Sequence, residues 1–220
     1  MLDRDSGPAR FQHRVADLAW TGLGLIVLAG CMVLVRDGTV GPAEATVFNA
    51  VNGLPEWLYP VMSRLQFVGV LVVGPAFAVI AMLWRRFRLA VAAILSTGLK
   101  LGLERVVKLL VERQRPGTTV RGAILRGDVP SRGLSFTSGH AVLVAALALI
   151  VTPYLRGRWK ALPWIIVASV GVARVYLGAH NPLDVVGGAA LGVVIGGLVN
   201  FAVGIPAERR REPDPAVLAP

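Results

Sequence analysis

Residues 174–185 read RVYLGAHNPLDV, a stretch that places an arginine, a histidine and an aspartate between two strongly apolar windows. Those windows cover residues 161–179 and 183–204. Charged groups are costly in such surroundings unless they are paired or have a function. Asn181-Pro182 has the pattern of a helix cap followed by proline at the first helical position. The stretch therefore predicts two apolar helices joined by a tight turn that holds charged side chains.

The composition is that of a membrane protein. Of 220 residues, 55% are hydrophobic and only 16% are charged, which is more apolar than an ordinary soluble domain. A helix needs about 20 apolar residues to cross a bilayer. Six windows meet or approach that length: 17–35, 66–84, 89–110, 140–155, 161–179 and 183–204. The sequence thus predicts an all-α, polytopic membrane protein with six transmembrane helices in one domain over residues 1–206. The charged, Pro-rich tail over 207–220 is expected to be disordered.

Basic residues are concentrated in the links between the apolar windows. In a chain that crosses the membrane six times, these positions all fall on the same side: 84–88, 156–160, 208–212, Arg4, Arg10 and Arg14. Lys and Arg in short loops mark the cytoplasmic side. We therefore expect a multi-pass plasma (inner) membrane protein with both termini in the cytoplasm. The net charge of +10 is then an orientation signal, and no nucleic-acid partner is expected.

This topology leaves three segments on the outer side, namely 36–65, 111–139 and the turn at 180–182. Segment 36–65 has apolar and aromatic positions that suit a short helix lying at the interface, although a plain loop fits them almost as well. Segment 111–139 carries five arginines where the orientation rule expects few: Arg113, Arg115, Arg121, Arg126 and Arg132. A local function is expected to override the orientation bias there.

Polar groups gather at the outer ends of the third to sixth windows. Lys108 and Arg115 are seven residues apart, which on a continuous helix would bring both cations onto nearly the same face. Such a pair needs an anion between its members. The motif SFTSGH, residues 135–140, has the composition of a helix start, where free backbone N–H groups bind anions. Asp184 follows His180 by four residues, close enough to accept a hydrogen bond from its ring. Together these features indicate an anion site.

Three motifs follow one another in order: Lys108-x6-Arg115-Pro116, then Ser138-Gly139-His140, then Arg174-x5-His180-x3-Asp184. Over roughly residues 66–204 the chain therefore resembles the type 2 phosphatidic acid phosphatase family, whose signature has these three parts. The resemblance implies a membrane lipid phosphatase with its active site at the outer, periplasmic face of the bundle. Two positions depart from the family pattern. Thr137 stands where proline is common, and Ala173 stands where serine is common, which removes a possible hydroxyl contact to phosphate.

The resemblance also implies a role for each motif residue. His180 would be the nucleophile that forms a phosphohistidine, Asp184 would orient it, and His140 would protonate the leaving oxygen and then activate water. The remaining residues would hold the phosphoryl oxygens: Lys108, Arg115, Ser138, Gly139 and Arg174. Since these cations take the place of a metal ion, no metal and no other cofactor is expected.

The expected partners are membrane lipids and a lipid phosphate substrate, for which the resemblance suggests phosphatidic acid, phosphatidylglycerol phosphate or a polyprenyl diphosphate. The sequence leaves the oligomeric state open. Lys100 and Glu104 precede Lys108 in steps of four residues. This spacing predicts an ion-pair ladder that supports the site rather than a proton path.

Other functions are compatible with parts of this pattern. A soluble vanadate-dependent haloperoxidase shares the residue constellation, but six membrane-length windows disfavour it. A non-catalytic anion transporter or lipid-binding protein would bind the same substrates without releasing phosphate. Single cations at helix ends often extend to the interface without a chemical role, and His180 with Asp184 alone would suit a structural pair. The three motifs taken together favour the phosphatase.

Overall fold

The computed structural model describes residues 11–207, and the chain over this range is mostly helical. Its α-helices are α1 Val15–Val35, α2 Pro42–Asn52, α3 Tyr59–Leu65, α4 Val73–Leu83, α5 Phe87–Val111, α6 Pro116–Thr119, α7 Gly139–Val151, α8 Leu162–Tyr176 and α9 Pro182–Val203. Short 3₁₀ segments lie at Glu56–Leu58, Gln66–Gly69, Thr152–Tyr154 and Gly157–Ala161. A two-residue antiparallel ribbon pairs β1 Phe11–Gln12 with β2 Ile205–Pro206. The all-α class is confirmed, while all but the first residue of the predicted tail lies outside the described residues.

Helix α9 lies at the centre of the bundle, where it packs against α1 and α7 along most of its length and also contacts α5 and α8. Glycines on α9 permit the close approach. A Cβ at Gly188 would lie 2.6 Å from the carbonyl oxygen of Ser138, and Gly192 lies equally tightly against Val142. Larger residues there would push the two helices apart. The packing therefore fixes the start of α7 beside the start of α9.

Most of the outer surface of the bundle is apolar. Exposed aliphatic side chains include Ile26, Leu34, Leu83, Leu109 and Leu110, and a continuous apolar surface of this kind suits contact with lipid. By length and composition α1 and α9 are each able to cross a membrane, and the bent pair of Glu56–Gly69 with α4 would make a third span. The other predicted windows also contain helices, but these are too short or too highly charged to pass the same test.

The second predicted window, 66–84, is not one straight helix, so that prediction is wrong in shape. The chain is helical from Tyr59 to Gly69 and then resumes as α4 at an angle of 68°. Val70 adopts an extended backbone conformation that ends the first part. The apolar pattern of the sequence does not reveal such a break, because packing against other parts of the chain decides where the helix bends.

Segment 36–65 is folded, so the predicted short helix is confirmed as α2 and the plain loop is excluded. The side-chain amide of Asn52 donates hydrogen bonds to the carbonyl oxygens of Ile124 and Tyr176, each at 2.9 Å, and Asn52 Oδ1 accepts from the Ile124 N–H at 2.8 Å. Buried Arg126 donates to the carbonyl oxygens of Asn52 and Tyr176 at 2.8 and 2.6 Å. These bonds tie α2, the segment after α5 and the end of α8 together.

The two ends of the bundle differ in character. At one end, called the basic end here, the ribbon joins β1 to β2, and Arg88 lies 4.4 Å from the centre of the Phe11 ring. Arg88 also donates to the carbonyl oxygen of Val203. The basic clusters at 84–88 and 156–160 lie at this end, whereas 208–212, Arg4 and Arg10 fall outside the described residues. The three motifs lie at the opposite end, called the site end.

Candidate active site

Lys108 and Arg115 reach the site from different elements, so the predicted shared helix face is wrong. Helix α5 ends before Glu112, which has a left-handed backbone conformation with φ of 49°. Arg115 is extended, as expected of a residue that precedes proline. Its Nη1 donates to the carbonyl oxygen of Ala179 at 2.9 Å, next to His180. Both cations therefore lie at the site end, one on α5 and one on the following loop.

Lys100, Glu104 and Lys108 form the predicted ion-pair ladder along α5. The Glu104 carboxylate lies 2.8 Å from Lys100 Nζ and 2.7 Å from Lys108 Nζ. The same carboxylate lies against the start of α7, since a Cβ at Gly139 would be 2.5 Å from Glu104 Oε1. The ladder thus holds the Lys108 ammonium beside the helix start where an anion would bind. Glu104 is itself part of the wall of that site.

At the site, buried donors of two motif residues lack partners. Ser138 is the N-cap of α7, and its N–H donates to the carbonyl oxygen of Asp184 at 2.9 Å. Ser138 Oγ and Arg174 Nε are both buried and have no hydrogen-bond partner within residues 11–207. Because buried polar atoms are nearly always paired, these atoms are available to an anionic ligand. Arg174 Nη1 donates to Gln66 Oε1, a contact that no motif indicates.

The link between His180 and Asp184 passes through a third residue. His180 Nδ1 and Asp184 Oδ2 are 3.8 Å apart, too far for a hydrogen bond, so the predicted direct contact is wrong. Ser135 Oγ lies 2.5 Å from Asp184 Oδ2 and 3.3 Å from His180 Nδ1. Asp184 Oδ2 also accepts the Asn181 N–H at 2.8 Å. With the hydroxyl proton directed at the carboxylate, Ser135 Oγ accepts Nδ1–H and leaves Nε2 for chemistry.

His180 is buried in the turn between α8 and α9. Burial lowers the pKa of His180 to about 4, and Arg174 and Arg115 add to this effect whereas Asp184 opposes it. At neutral pH the ring is therefore uncharged. An uncharged imidazole has the lone pair that a nucleophile requires.

His140 lies in the first turn of α7, where the bent segment after α3 covers it. A Cβ at Gly69 would lie 2.6 Å from the Cβ of His140. Arg174 and Arg115 lie close enough to act electrostatically on both His140 and His180. The two histidines thus belong to one site, which also contains the three cations of the motifs.

Several residues at the site were missed by the sequence interpretation. Ser135 is part of the quoted SFTSGH motif, for which the sequence predicts only a helix start. Gln66 stands alone as a polar residue at the edge of an apolar window, which is a weak signal. Arg113 pairs with both Asp184 and Glu44, and neither Arg113 nor Glu44 is among the motif residues. Within residues 11–207, no three metal-ligating side chains are grouped as a metal site.

Comparison with known proteins identifies the class. A family model described as the PAP2 superfamily matches residues 88–204, and the chain belongs to this superfamily. The decaprenylphosphoryl-5-phosphoribose phosphatase of Mycobacterium tuberculosis is 37% identical over 107 residues, which cover 49% of this chain and 56% of that protein. The undecaprenyl-diphosphatase of Sulfolobus acidocaldarius is 31% identical over 121 residues, 54% of this chain and 57% of that protein. The matched region thus spans just over half the length of these relatives.

A solved structure supports the fold. The transmembrane PAP2 type phosphatidylglycerolphosphate phosphatase from Bacillus subtilis superposes with a TM-score of 0.63 and 24% identity over 84% of this chain and 94% of that chain. The family that the three motifs indicated is confirmed. This likeness shows the fold, and the apolar helices α1 and α9 indicate a membrane protein.

Proposed function

We propose that this protein is a lipid phosphatase that hydrolyses a phosphate mono- or diphosphate ester of a membrane lipid through a phosphohistidine. One observation carries the proposal. Arg115 and Arg174 lie near the uncharged ring of His180, and Glu104 holds Lys108 at the start of α7. Cations from three elements gathered near a histidine and a helix start suit a phosphoryl group, whose charge is spread over its oxygens.

The reaction would proceed in two steps. In the first, Nε2 of His180 attacks phosphorus, so that a P–N bond forms as the bond to the leaving oxygen breaks. His140 donates a proton to that oxygen. In the second, His140 takes a proton from water, whose oxygen attacks phosphorus and breaks the P–N bond. Inorganic phosphate leaves, and His180 is regenerated.

The transition state would be held by the unpartnered donors of the site. Ser138 Oγ and Arg174 Nε supply two of them, and the backbone N–H of Gly139 at the start of α7 supplies a third. Lys108 and Arg115 add positive charge. Because charged donors stabilise developing negative charge in a buried site, this arrangement suits phosphoryl transfer without a metal ion.

We propose six spans within a single domain over residues 1–206, both termini in the cytoplasm and the site end on the outer face of the plasma membrane. Exposed Trp84 and Trp159 at the basic end and Trp57 at the site end suit the two membrane interfaces. Two of the arginines whose charge counts against this orientation, Arg113 and Arg126, are buried and hydrogen-bonded. They are therefore not free loop charges.

The substrate class follows from the site and from the relatives. A phosphate site at the end of an apolar bundle is reached by a headgroup whose tail stays in the bilayer. The names of the relatives refer to polyprenyl-linked phosphates and to phosphatidylglycerol phosphate. We propose the same class here, with a polyprenyl phosphate or diphosphate as the first candidate.

Phosphate release by purified protein in detergent tests the proposal. Phosphatidic acid, phosphatidylglycerol phosphate and a polyprenyl diphosphate are assayed side by side, with His180→Ala as the inactive control. Release is expected to persist in excess EDTA and to be inhibited by vanadate. Binding of the lipids without phosphate release would instead favour a transporter or binding protein, and loss of turnover on chelation would contradict the metal-free mechanism.

A further inference from the structure

A buried cluster of charges lies next to the catalytic pair, and two of its members, Arg113 and Glu44, are not among the motif residues. Arg113 is fully buried between two carboxylates. Its Nη1 donates to Glu44 Oε1 and to Asp184 Oδ1, each at 3.0 Å, and its Nη2 donates to Glu44 Oε2 at 2.5 Å. The carbonyl oxygen of Thr39 accepts a further bond from Nη2 at 2.9 Å. Asp184 is thereby joined to a residue on a distant part of the chain.

Glu44 also holds the backbone beside Asp184. Its Oε1 accepts the N–H of Leu183 at 2.9 Å, and Leu183 directly precedes Asp184 in the first turn of α9. Glu44 itself lies in the first turn of α2. The last residue of that helix, Asn52, is bonded to the end of α8. Helix α2 therefore connects the two helices that flank His180.

The charges of this cluster do not cancel. Glu44 and Asp184 are negative and Arg113 is positive, which leaves one negative charge in excess close to His180. A buried charge is costly unless an opposite charge compensates it. Attack of His180 on phosphorus creates the compensating positive charge, because the phosphorylated ring of His180 is a cation. Arg115 and Arg174 also lie near His180, where they would hold the phosphate.

We infer that Glu44 is a positioning residue for His180 that acts through Arg113 and Asp184, an inference that rests on the proposed function. Glu44 fixes the Asp184 carboxylate and offsets the charge of Arg113. Without the Glu44 charge, Arg113 and Asp184 form a neutral pair, which stabilises the phosphorylated ring less. Glu44 does not line the phosphate site, so it affects phosphoryl transfer rather than lipid binding.

The test compares Glu44→Gln with wild type. The amide keeps the shape of the side chain and removes its charge. We expect kcat and the rate of His180 phosphorylation to fall on the order of tenfold, with KM changed by less than about twofold. Glu56→Gln is the matched control, because Glu56 pairs with Arg126 at 2.9 Å at the same end of the bundle. Its turnover is expected to equal that of wild type.

A double variant separates charge from shape. Glu44→Gln/Arg113→Gln removes both charges and leaves that of Asp184 unopposed, so its kcat is expected to exceed that of Glu44→Gln. A purely structural role predicts no gain over Glu44→Gln, because the double variant also loses the bond from Arg113 to Asp184. A double variant that is folded but slower than Glu44→Gln would therefore contradict the inference.

Folding is monitored by accumulation in the membrane and by thermal unfolding in detergent. Should Glu44→Gln not accumulate, Glu44→Asp and the double variant take its place, and turnover in both supports the inference. Failure of both to fold would make Glu44 purely structural and overturn it. Wild-type kcat in Glu44→Gln would also overturn the inference but leave the phosphatase intact, whereas a wild-type protein that releases no phosphate would overturn the proposed function.

Discussion

Ser135 Oγ lies 2.5 Å from Asp184 Oδ2 and takes the place of a direct hydrogen bond between Asp184 and His180. Ser135→Ala removes this bridge, so the His180 ring loses its acceptor and the charge on the ring is less well stabilised. We expect kcat to fall by about 10- to 100-fold with little change in KM, measured as phosphate release at saturating and at limiting lipid.

The conservative variant Ser135→Thr keeps the hydroxyl and is the control for the loss of packing. Ser135 is fully buried, so threonine is expected to lower the unfolding temperature but to retain more turnover than alanine. Equal turnover in Ser135→Ala and wild type would show that the hydroxyl has no part in the reaction.

Glu104 offers a second test, because its carboxylate lies against Gly139 where the phosphate is proposed to bind. Glu104→Gln removes like charge from the site. We expect inhibition by vanadate and by inorganic phosphate at several-fold lower concentration than in wild type. Glu112→Gln, at the exposed end of α5, is expected to leave the inhibition constants unchanged. Weaker inhibition of Glu104→Gln would instead mean that its main role is to hold Lys108.

The motif residues could be found from the sequence because their order and spacing are local and because charges are rare in an apolar chain. Lys108, His140, Arg174 and His180 all stand out for this reason, and the structure brings them to one end of the bundle. The ion-pair ladder from Lys100 to Lys108 could also be predicted from the sequence, since it depends only on helical periodicity.

The remaining features depend on contacts between distant segments. Nothing in the sequence around Glu44 indicates that it meets Arg113, because that contact arises only when α2 packs against α9. The predicted window 89–110 ends within one residue of α5, but the shared face of Lys108 and Arg115 was wrong for a different reason. Glu112 adopts a left-handed conformation that separates Arg115 from the helix, and a seven-residue spacing does not show this.

The pKa of His180 gives a third prediction, on stability. An unfolded histidine is protonated below about pH 6.5, whereas the pKa of buried His180 is lowered to about 4. Between these values the unfolded state binds more protons, so the folded state gains stability as pH rises. Over this window we expect the unfolding temperature in detergent to rise more steeply in wild type than in His180→Gln. Replacement of the exposed His13 by glutamine should leave the slope closer to that of wild type, and equal slopes in wild type and His180→Gln would contradict the assignment.

Orientation in the membrane is tested by thiol labelling. Cys31 is the only cysteine of the chain and is buried, so Cys31→Ala provides the background. Cysteines are placed at exposed Thr118 at the site end and at exposed Arg158 at the basic end. On intact cells an impermeant reagent is expected to label the first and not the second. The reverse pattern would place the site in the cytoplasm.

The central claim is that His180 carries the phosphate, and a trapped intermediate tests it most directly. His140→Ala lacks the group that activates water, so a substrate with a good leaving group, such as p-nitrophenyl phosphate, is expected to phosphorylate His180 and stop there. General acid–base catalysis contributes about 10²- to 10⁴-fold, which makes the adduct long-lived enough to quench. The measurement is acid-labile phosphate on the protein, mapped by mass spectrometry in His140→Ala and in His140→Ala/His180→Ala. We predict the adduct on His180 in the first variant and none in the second; phosphate retained without His180 would contradict the account.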